Sequence, residues 1–250
     1  MSPTLTVLTH RPQARWRLYC IPPGGLGPEF YLPWCPSIPP TIELCAVQLP
    51  GRGPLADQPC TTDPKALTTE LAELITGQDD LRPFALFGHS IGALSAFTTT
   101  RRLRRTGGRQ PALLALSALP APHSGPYTQT LGALLLSGHT AANQAIGIHT
   151  GAATDFARLA AAYVPLLGDL LLLLQHRHQQ EAPLDCDLAL YGGQDDPVTT
   201  LDQLTAWNDL TTTPVTPRLF PGGHTYPAEQ AEALVTQLHH DLEAATDRDD

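Results

Sequence analysis

The sequence predicts an α/β fold with a mainly parallel central sheet and helices on both faces. Three observations carry this expectation. Short apolar runs without polar alternation recur along the chain, as strands covered on both faces require. Helical periods of apolar residues separate several of these runs. A Gly-x-Ser-x-Gly turn, Gly88-His89-Ser90-Ile91-Gly92, joins one apolar run directly to one helical period.

In chain order the strand candidates are Trp16 to Ile21, Ile42 to Leu49, Phe84 to Phe87, Ala112 to Ser117, Leu188 to Tyr191 and Val215 to Phe220. Helical spacing covers Pro64 to Thr76, Ile91 to Arg105, Leu201 to Leu210 and Pro227 to Leu242. Pro83 opens the run before the glycine–serine turn, and Leu94, Phe97 and Leu103 continue helically after it. Thr200-Leu201-Asp202-Gln203 fits a capping box, and Gly107 is placed to close the preceding helix in a left-handed conformation. Between about His123 and Pro183 the alternation fails: Leu131 to Leu136, Phe156 to Val164 and Leu166 to Leu174 are more helical than strand-like. A single domain over residues 1–250 is expected, with residues 123–183 as a helical lid over the sheet's functional edge and an apolar underside suited to an acyl chain.

Composition narrows the function. With 24 acidic against 15 basic residues the net charge is −9, which argues against general affinity for nucleic acid or anionic lipid. Met1-Ser2-Pro3-Thr4 begins no charged, then apolar, leader, and Leu170 to Leu174 is too short to span a bilayer. Five scattered cysteines without a Cys-x-x-Cys pair read as reduced, mostly buried thiols. His176-Arg177-His178 lacks carboxylate or thiolate companions nearby, so no metal site is expected. A soluble cytoplasmic enzyme is the expectation.

The glycine–serine turn points to nucleophilic catalysis. A serine hydroxyl is a weak nucleophile until a base lies within hydrogen-bond reach and a carboxylate orients that base. His224 is the base candidate, because Phe220-Pro221-Gly222-Gly223-His224 throws it out at the end of a strand. The other histidines have plainer places: His239 and His240 on the last helix, His176 and His178 at a helix end, and His89 packed within the turn. The acid should follow the preceding strand, where Tyr191-Gly192-Gly193-Gln194-Asp195-Asp196-Pro197 offers two neighbours that point different ways; Asp196 is favoured over Asp195. The order Ser90, Asp196, His224 is that of α/β-hydrolases. Two backbone N–H groups must hold the developing oxyanion. One is Ile91; the other should come from Ile21-Pro22-Pro23-Gly24-Gly25, where the prolines cannot donate, so Gly24 comes first and Gly25 second.

Together with Cys20-Ile21-Pro22-Pro23-Gly24-Gly25, Phe30-Tyr31, Gln48-Leu49-Pro50-Gly51-Arg52-Gly53, Ala121-Pro122-His123 and Ala206-Trp207, these segments resemble the type II thioesterases, the stand-alone editing enzymes of nonribosomal peptide and polyketide synthases. The similarity spans nearly the whole chain, and the segment ending in Arg52-Gly53 is its most specific marker. It departs ahead of the glycine pair and at Ile91, where the family usually has Met. The resemblance implies that Ser90, Asp196 and His224 are nucleophile, acid and base. It also implies hydrolysis of acyl thioesters on the phosphopantetheine arm of carrier protein domains, by a monomer needing no cofactor of its own. A small-molecule esterase, an acyltransferase or cyclase, and a non-catalytic module on the same fold are the alternatives. Arg101, Arg102, Arg104, Arg105 and Arg109 read either as cations at a helix C-terminus or as a docking patch for an acidic carrier, the former preferred.

Overall fold

Each apolar run folds as a strand whose successive side chains enter opposite layers. In β2 (Trp16–Ile21), Tyr19 and Ile21 join one hydrophobic cluster while Trp16, Leu18 and Cys20 join the other. The same split holds for Leu86 against Phe87 in β4 (Phe84–His89) and for Leu190 against Tyr191 in β6 (Asp187–Gly193). One layer is covered by α1 (Pro64–Thr76), α2 (Ile91–Arg105) and α3 (Phe156–Gln175). The other is covered by the 3-10 turn Pro28–Trp34 and by Leu234, Val235, Leu238 and Leu242 of α6 (Ala231–Thr246). The computed structural model describes residues 2–78, 81–125, 127–129, 132–133 and 156–246.

With β1 (Thr4–Val7), β3 (Ile42–Gln48), β5 (Leu113–Ser117) and β7 (Arg218–Phe220), the seven strands run in the order β1-β3-β2-β4-β5-β6-β7. All neighbours are parallel except β1, which lies antiparallel on β3. The loops after β2, β3, β4, β5, β6 and β7 therefore leave from one edge of the sheet, where open α/β sheets carry their sites.

Several elements differ from the sequence reading for identifiable reasons. β1 is half-exposed and only four residues long, so it carries no apolar run. β7 is half the expected length because Pro217 cannot donate to the ladder, and the backbone of Val215 pairs instead with the Asn208 side chain (2.9 Å in each direction). The helix expected over 201–210 is a short α4 (Leu201–Thr205) followed by a 3-10 turn (Ala206–Leu210), and its capping box is present. The last helix divides into α5 (Tyr226–Glu229) and α6. Gly107 closes α2 at φ +68°. The runs Phe156 to Val164 and Leu166 to Leu174 form one helix, α3, with Pro165 inside it; the run Leu131 to Leu136 lies almost wholly outside the described residues. Among the described residues no helix is long and apolar enough to cross a membrane. None of the five cysteines is in a disulfide; two are buried and three half-buried.

Arg102, Arg104 and Arg105 stand in the last turn of α2, as cations at a helix C-terminus do, but most of the arginine run is also engaged in specific contacts. Arg101, Arg104 and Arg105 converge on Glu181. Arg101 also donates to the Gln179 carbonyl at 2.7 Å and Arg104 to those of Ala182 and Pro183 at 2.8 and 2.7 Å. Arg109 donates to the carbonyls of Leu81 and Arg82. Arg101, Arg104 and Arg105 thus fasten the chain leaving α3 to the body, while Arg109 ties down the loop before β4.

The glycines of the turn after β4 are required by contact. A Cβ on Gly88 would lie 2.2 Å from the Gly92 carbonyl oxygen, and one on Gly92 would lie 2.3 Å from the Ile21 oxygen of β2. Both obstacles are backbone that cannot swing aside. Gly92→Ala is expected to cost about 3–5 kcal/mol, the range of severe point substitutions, lowering the melting temperature by on the order of 10 °C. Gly107→Ala, where nothing lies within 4 Å, should cost only the left-handed backbone penalty of about 1–2 kcal/mol. Thermal denaturation of the two variants tests the contrast.

Candidate active site

Strand β4 ends at His89 and α2 begins at Ile91, leaving Ser90 alone at the corner with φ +55° and ψ −126°. That left-handed backbone costs a non-glycine residue of order 1–3 kcal/mol and is held by its surroundings. The Ser90 amide donates to the Ser117 carbonyl at 2.8 Å, which ties the corner to the end of β5. The second non-glycine residue at positive φ, Ala118 (+54°), directly follows Ser117.

His224 and Asp196 arrive from the ends of β7 and β6. Their loops pack back to back: a Cβ on Gly193 would meet the Gly223 carbonyl at 2.4 Å. His224 Nε2 lies 2.9 Å from Ser90 Oγ, and Nδ1 lies 2.9 and 3.1 Å from the two Asp196 oxygens. A carboxylate only accepts, so Nδ1 carries the proton and Nε2 is left free to accept from the serine hydroxyl. Asp196 also accepts from the Val198 amide at 2.8 Å, which fixes its rotamer. The carboxylate side chain is 1% exposed and the imidazole 10% exposed, while Ser90 is 2% exposed. Asp195 is exposed, and its amide is used by the Gly222 carbonyl at 3.0 Å. The structure thus brings Asp196, and not Asp195, to the imidazole.

Gly24 lies against the start of α2, where an added Cβ would come 2.8 Å from Ile91 Cδ1. The Gly25 amide is already engaged, donating to the Asp169 carboxylate of α3 at 2.8 Å. Gly24 and Ile91 are left beside each other.

The sequence reading missed a buried polar chain behind His224. His89 is 1% exposed, with Nε2 at 2.8 Å from the His224 carbonyl oxygen and Nδ1 at 2.8 Å from Ser117 Oγ. A carbonyl cannot donate, so the His89 proton is on Nε2. Ser117 then donates to Nδ1 and accepts from the Tyr226 hydroxyl at 2.6 Å. His89 also stacks on Phe30, ring centroids 5.4 Å apart and planes within 7°. The only sequence signal was Ser117, a polar residue closing an apolar strand.

Burial, together with the neighbouring His224 ring, pushes the His89 imidazole well below its ordinary value of 6.5. The native protein therefore holds His89 uncharged where the unfolded chain takes up a proton. This stabilisation is fully present above about pH 6.5 and declines as pH falls, by up to about 1.4 kcal/mol per pH unit. His176, lowered to about 4 chiefly by burial, adds in the same direction. His89→Gln retains a donor and an acceptor but cannot titrate. Its melting temperature should fall less steeply between pH 7.5 and 5 than that of the native protein.

A mostly parallel sheet with this strand order, a serine on a strained strand-to-helix corner, and a carboxylate and an imidazole from later strand ends define the α/β-hydrolase fold. The thioesterase-domain family model matches residues 16–242. The chain belongs to the thioesterase family. Its sequence is 30% identical over 89% of its length to the probable cadicidin biosynthesis thioesterase of Streptomyces griseus, spanning 61% of that longer protein. It is 26% identical to the gramicidin S biosynthesis protein GrsT of Aneurinibacillus migulanus, over 89% of this chain and 87% of that one. The solved type II thioesterase BorB, from the borrelidin biosynthetic cluster, superposes with a TM-score of 0.78 at 28% identity, covering 96% and 97% of the two chains.

Proposed function

We propose that this protein hydrolyses acyl thioesters carried on the phosphopantetheine arm of carrier protein domains, as a type II thioesterase of nonribosomal peptide or polyketide biosynthesis. The reading rests on one observation above the others: the unbroken contact from Asp196 through His224 to Ser90, with 2.9 Å at each link. The kinship to biosynthetic thioesterases supports the substrate class. Residues 1–250 then act as one domain, with α3 part of the lid.

In the first step His224 Nε2 takes the Ser90 hydroxyl proton as Oγ attacks the thioester carbonyl carbon. The carbonyl π electrons move to oxygen, and that oxyanion accepts from the Ile91 and Gly24 amides. Asp196 stabilises the imidazolium through Nδ1–H. The tetrahedral intermediate then expels the thiol sulfur, which takes the proton from Nε2. A thiol of pKa about 8.5 leaves readily. Water next gives a proton to Nε2 and attacks the acyl-serine; collapse returns that proton to Oγ and releases the free acid.

The experiment is a panel of acyl-loaded carrier proteins, the matching acyl-coenzyme A thioesters and aryl esters, read by intact mass and product release. Preference for the carrier-bound thioester, with free acid as product, is expected. Faster turnover of aryl esters would assign a small-molecule esterase. Transfer of the acyl group to an added amine or alcohol in preference to water would assign an acyltransferase. No turnover of any of them would leave a binding module.

A further inference from the structure

The segment Gln48-Leu49-Pro50-Gly51-Arg52-Gly53 leaves the end of β3, next to the loop that leaves β2. Gln48 is buried and its Nε2 donates to the carbonyls of Leu49 and Arg52 at 3.0 and 2.9 Å, coiling the turn upon itself. Gly51, at φ +84°, passes so close to Cys60 that an added Cβ would lie 2.2 Å from Sγ. This folding turns Arg52 inward, to 6% exposure.

There Arg52 meets Asp169 of α3, itself 4% exposed in its side chain. Nη1 and Nη2 donate to the two carboxylate oxygens at 2.6 and 2.7 Å, a two-pronged pair. Each partner also grips the loop after β2. Arg52 Nη1 donates to the Leu26 carbonyl at 3.1 Å, and Asp169 Oδ2 accepts from the Gly25 amide at 2.8 Å. Gly24, whose amide is the proposed oxyanion donor, immediately precedes this double grip. Leu166, one turn earlier on α3, packs beside it: a Cβ on Gly24 would lie 3.4 Å from Leu166 Cδ1.

Burying two opposite charges is expensive, and an apolar pair of similar volume often serves stability equally well. Stability alone therefore does not account for this pair. Fixing a register is the better-attested use of such a contact. A glycine-rich loop has little side-chain packing to hold it, yet an oxyanion donor misplaced by about 1 Å can cost about 100-fold in rate.

We propose that Arg52 and Asp169 are positioning residues that clamp the Gly24–Leu26 loop, so that the Gly24 amide faces the oxyanion formed at Ser90. This rests on the acyl-transfer reading of the site and identifies what holds its less constrained donor. The interaction is made through the transition state, so its loss should lower kcat and kcat/KM together and leave KM little changed.

The decisive protein is the full chain carrying Arg52→Met and Asp169→Leu together, which leaves neither charge buried alone. Its kcat with an acyl-loaded carrier protein is expected to fall about 100-fold, the loss of one oxyanion donor. KM should stay within threefold of native. A kcat within threefold of native overturns the proposal, as does a raised KM at native kcat. Should the double variant fail to fold, Asp169→Asn decides: it keeps an acceptor for Gly25 but loses the ionic pair. A fall in kcat of about tenfold at native KM supports the clamp, and native kcat overturns it. Ser90→Ala run alongside separates the two levels: turnover surviving there defeats the acyl-transfer reading itself, whereas Ser90-dependent turnover with native kcat in the clamp variants defeats only the clamp.

Discussion

Ser90→Ala is expected to lower turnover of a carrier-bound acyl thioester by about 10⁵- to 10⁶-fold, the scale seen when a serine hydrolase loses its nucleophile. The attacking oxygen is removed, and His224 Nε2 loses its hydroxyl partner at 2.9 Å. What survives is binding and the two backbone donors, which give no acyl-enzyme. KM should therefore change little. Alanine at φ +55° is no worse placed than serine, so the melting temperature should stay within about 2–4 °C, the shift that 1 kcal/mol produces in a chain of this size. Intact mass spectrometry should find an acyl adduct on the native protein with a slowly hydrolysed substrate, and none on the variant. Turnover by Ser90→Ala at even a tenth of the native rate would end the nucleophile assignment.

Asp196→Asn should be nearly as severe, at about 10⁴-fold in kcat, for a different reason. The amide would present an N–H to Nδ1, which favours the tautomer with its proton on Nε2. Nε2 would then donate to Ser90 and could not take its proton. The Val198 amide can still donate to the retained side-chain oxygen, so folding should persist. Asp195→Asn should stay within about twofold of native, since that side chain points to solvent and only its backbone is used. Measuring kcat for both variants on one substrate separates the neighbours. Equal losses, or a larger one at Asp195, would overturn the assignment of Asp196.

How much was legible beforehand depended on the range of the interaction. Ser90, Asp196 and His224 were readable because each sits in its own short glycine-bearing turn after an apolar run, a signal contained within about six residues. The preference for Asp196 over Asp195 rests on its spacing from Gly193 and on Pro197 behind it, and which carboxylate reaches the imidazole is a matter of how the loops after β6 and β7 pack through Gly193 and Gly223. Gly25 stood open as a donor because nothing within its own loop shows that a helix 144 residues away uses its amide. Asp169 did leave a trace: it is the one charged residue within Leu166 to Leu174, and a carboxylate in so apolar a helix needs a buried partner. Nothing local named Arg52 as that partner. Nor did anything local name Glu181 as the partner of Arg101, Arg104 and Arg105, since it approaches them only once α3 has folded back.

By itself the sequence determined the layered architecture, because strands buried on both faces must be apolar throughout and helices lying on them must be apolar every third or fourth residue. It likewise determined the corner at Ser90, because only glycine tolerates the backbone contacts that Gly88 and Gly92 make. The tertiary structure alone decided which groups complete the site. The grip of Arg52 and Asp169 on the Gly24–Leu26 loop, and of His89 on the His224 carbonyl, joins segments far apart in the chain. Hydrogen bonds and ion pairs act over about 3 Å in space and leave no periodic mark in the sequence that forms them.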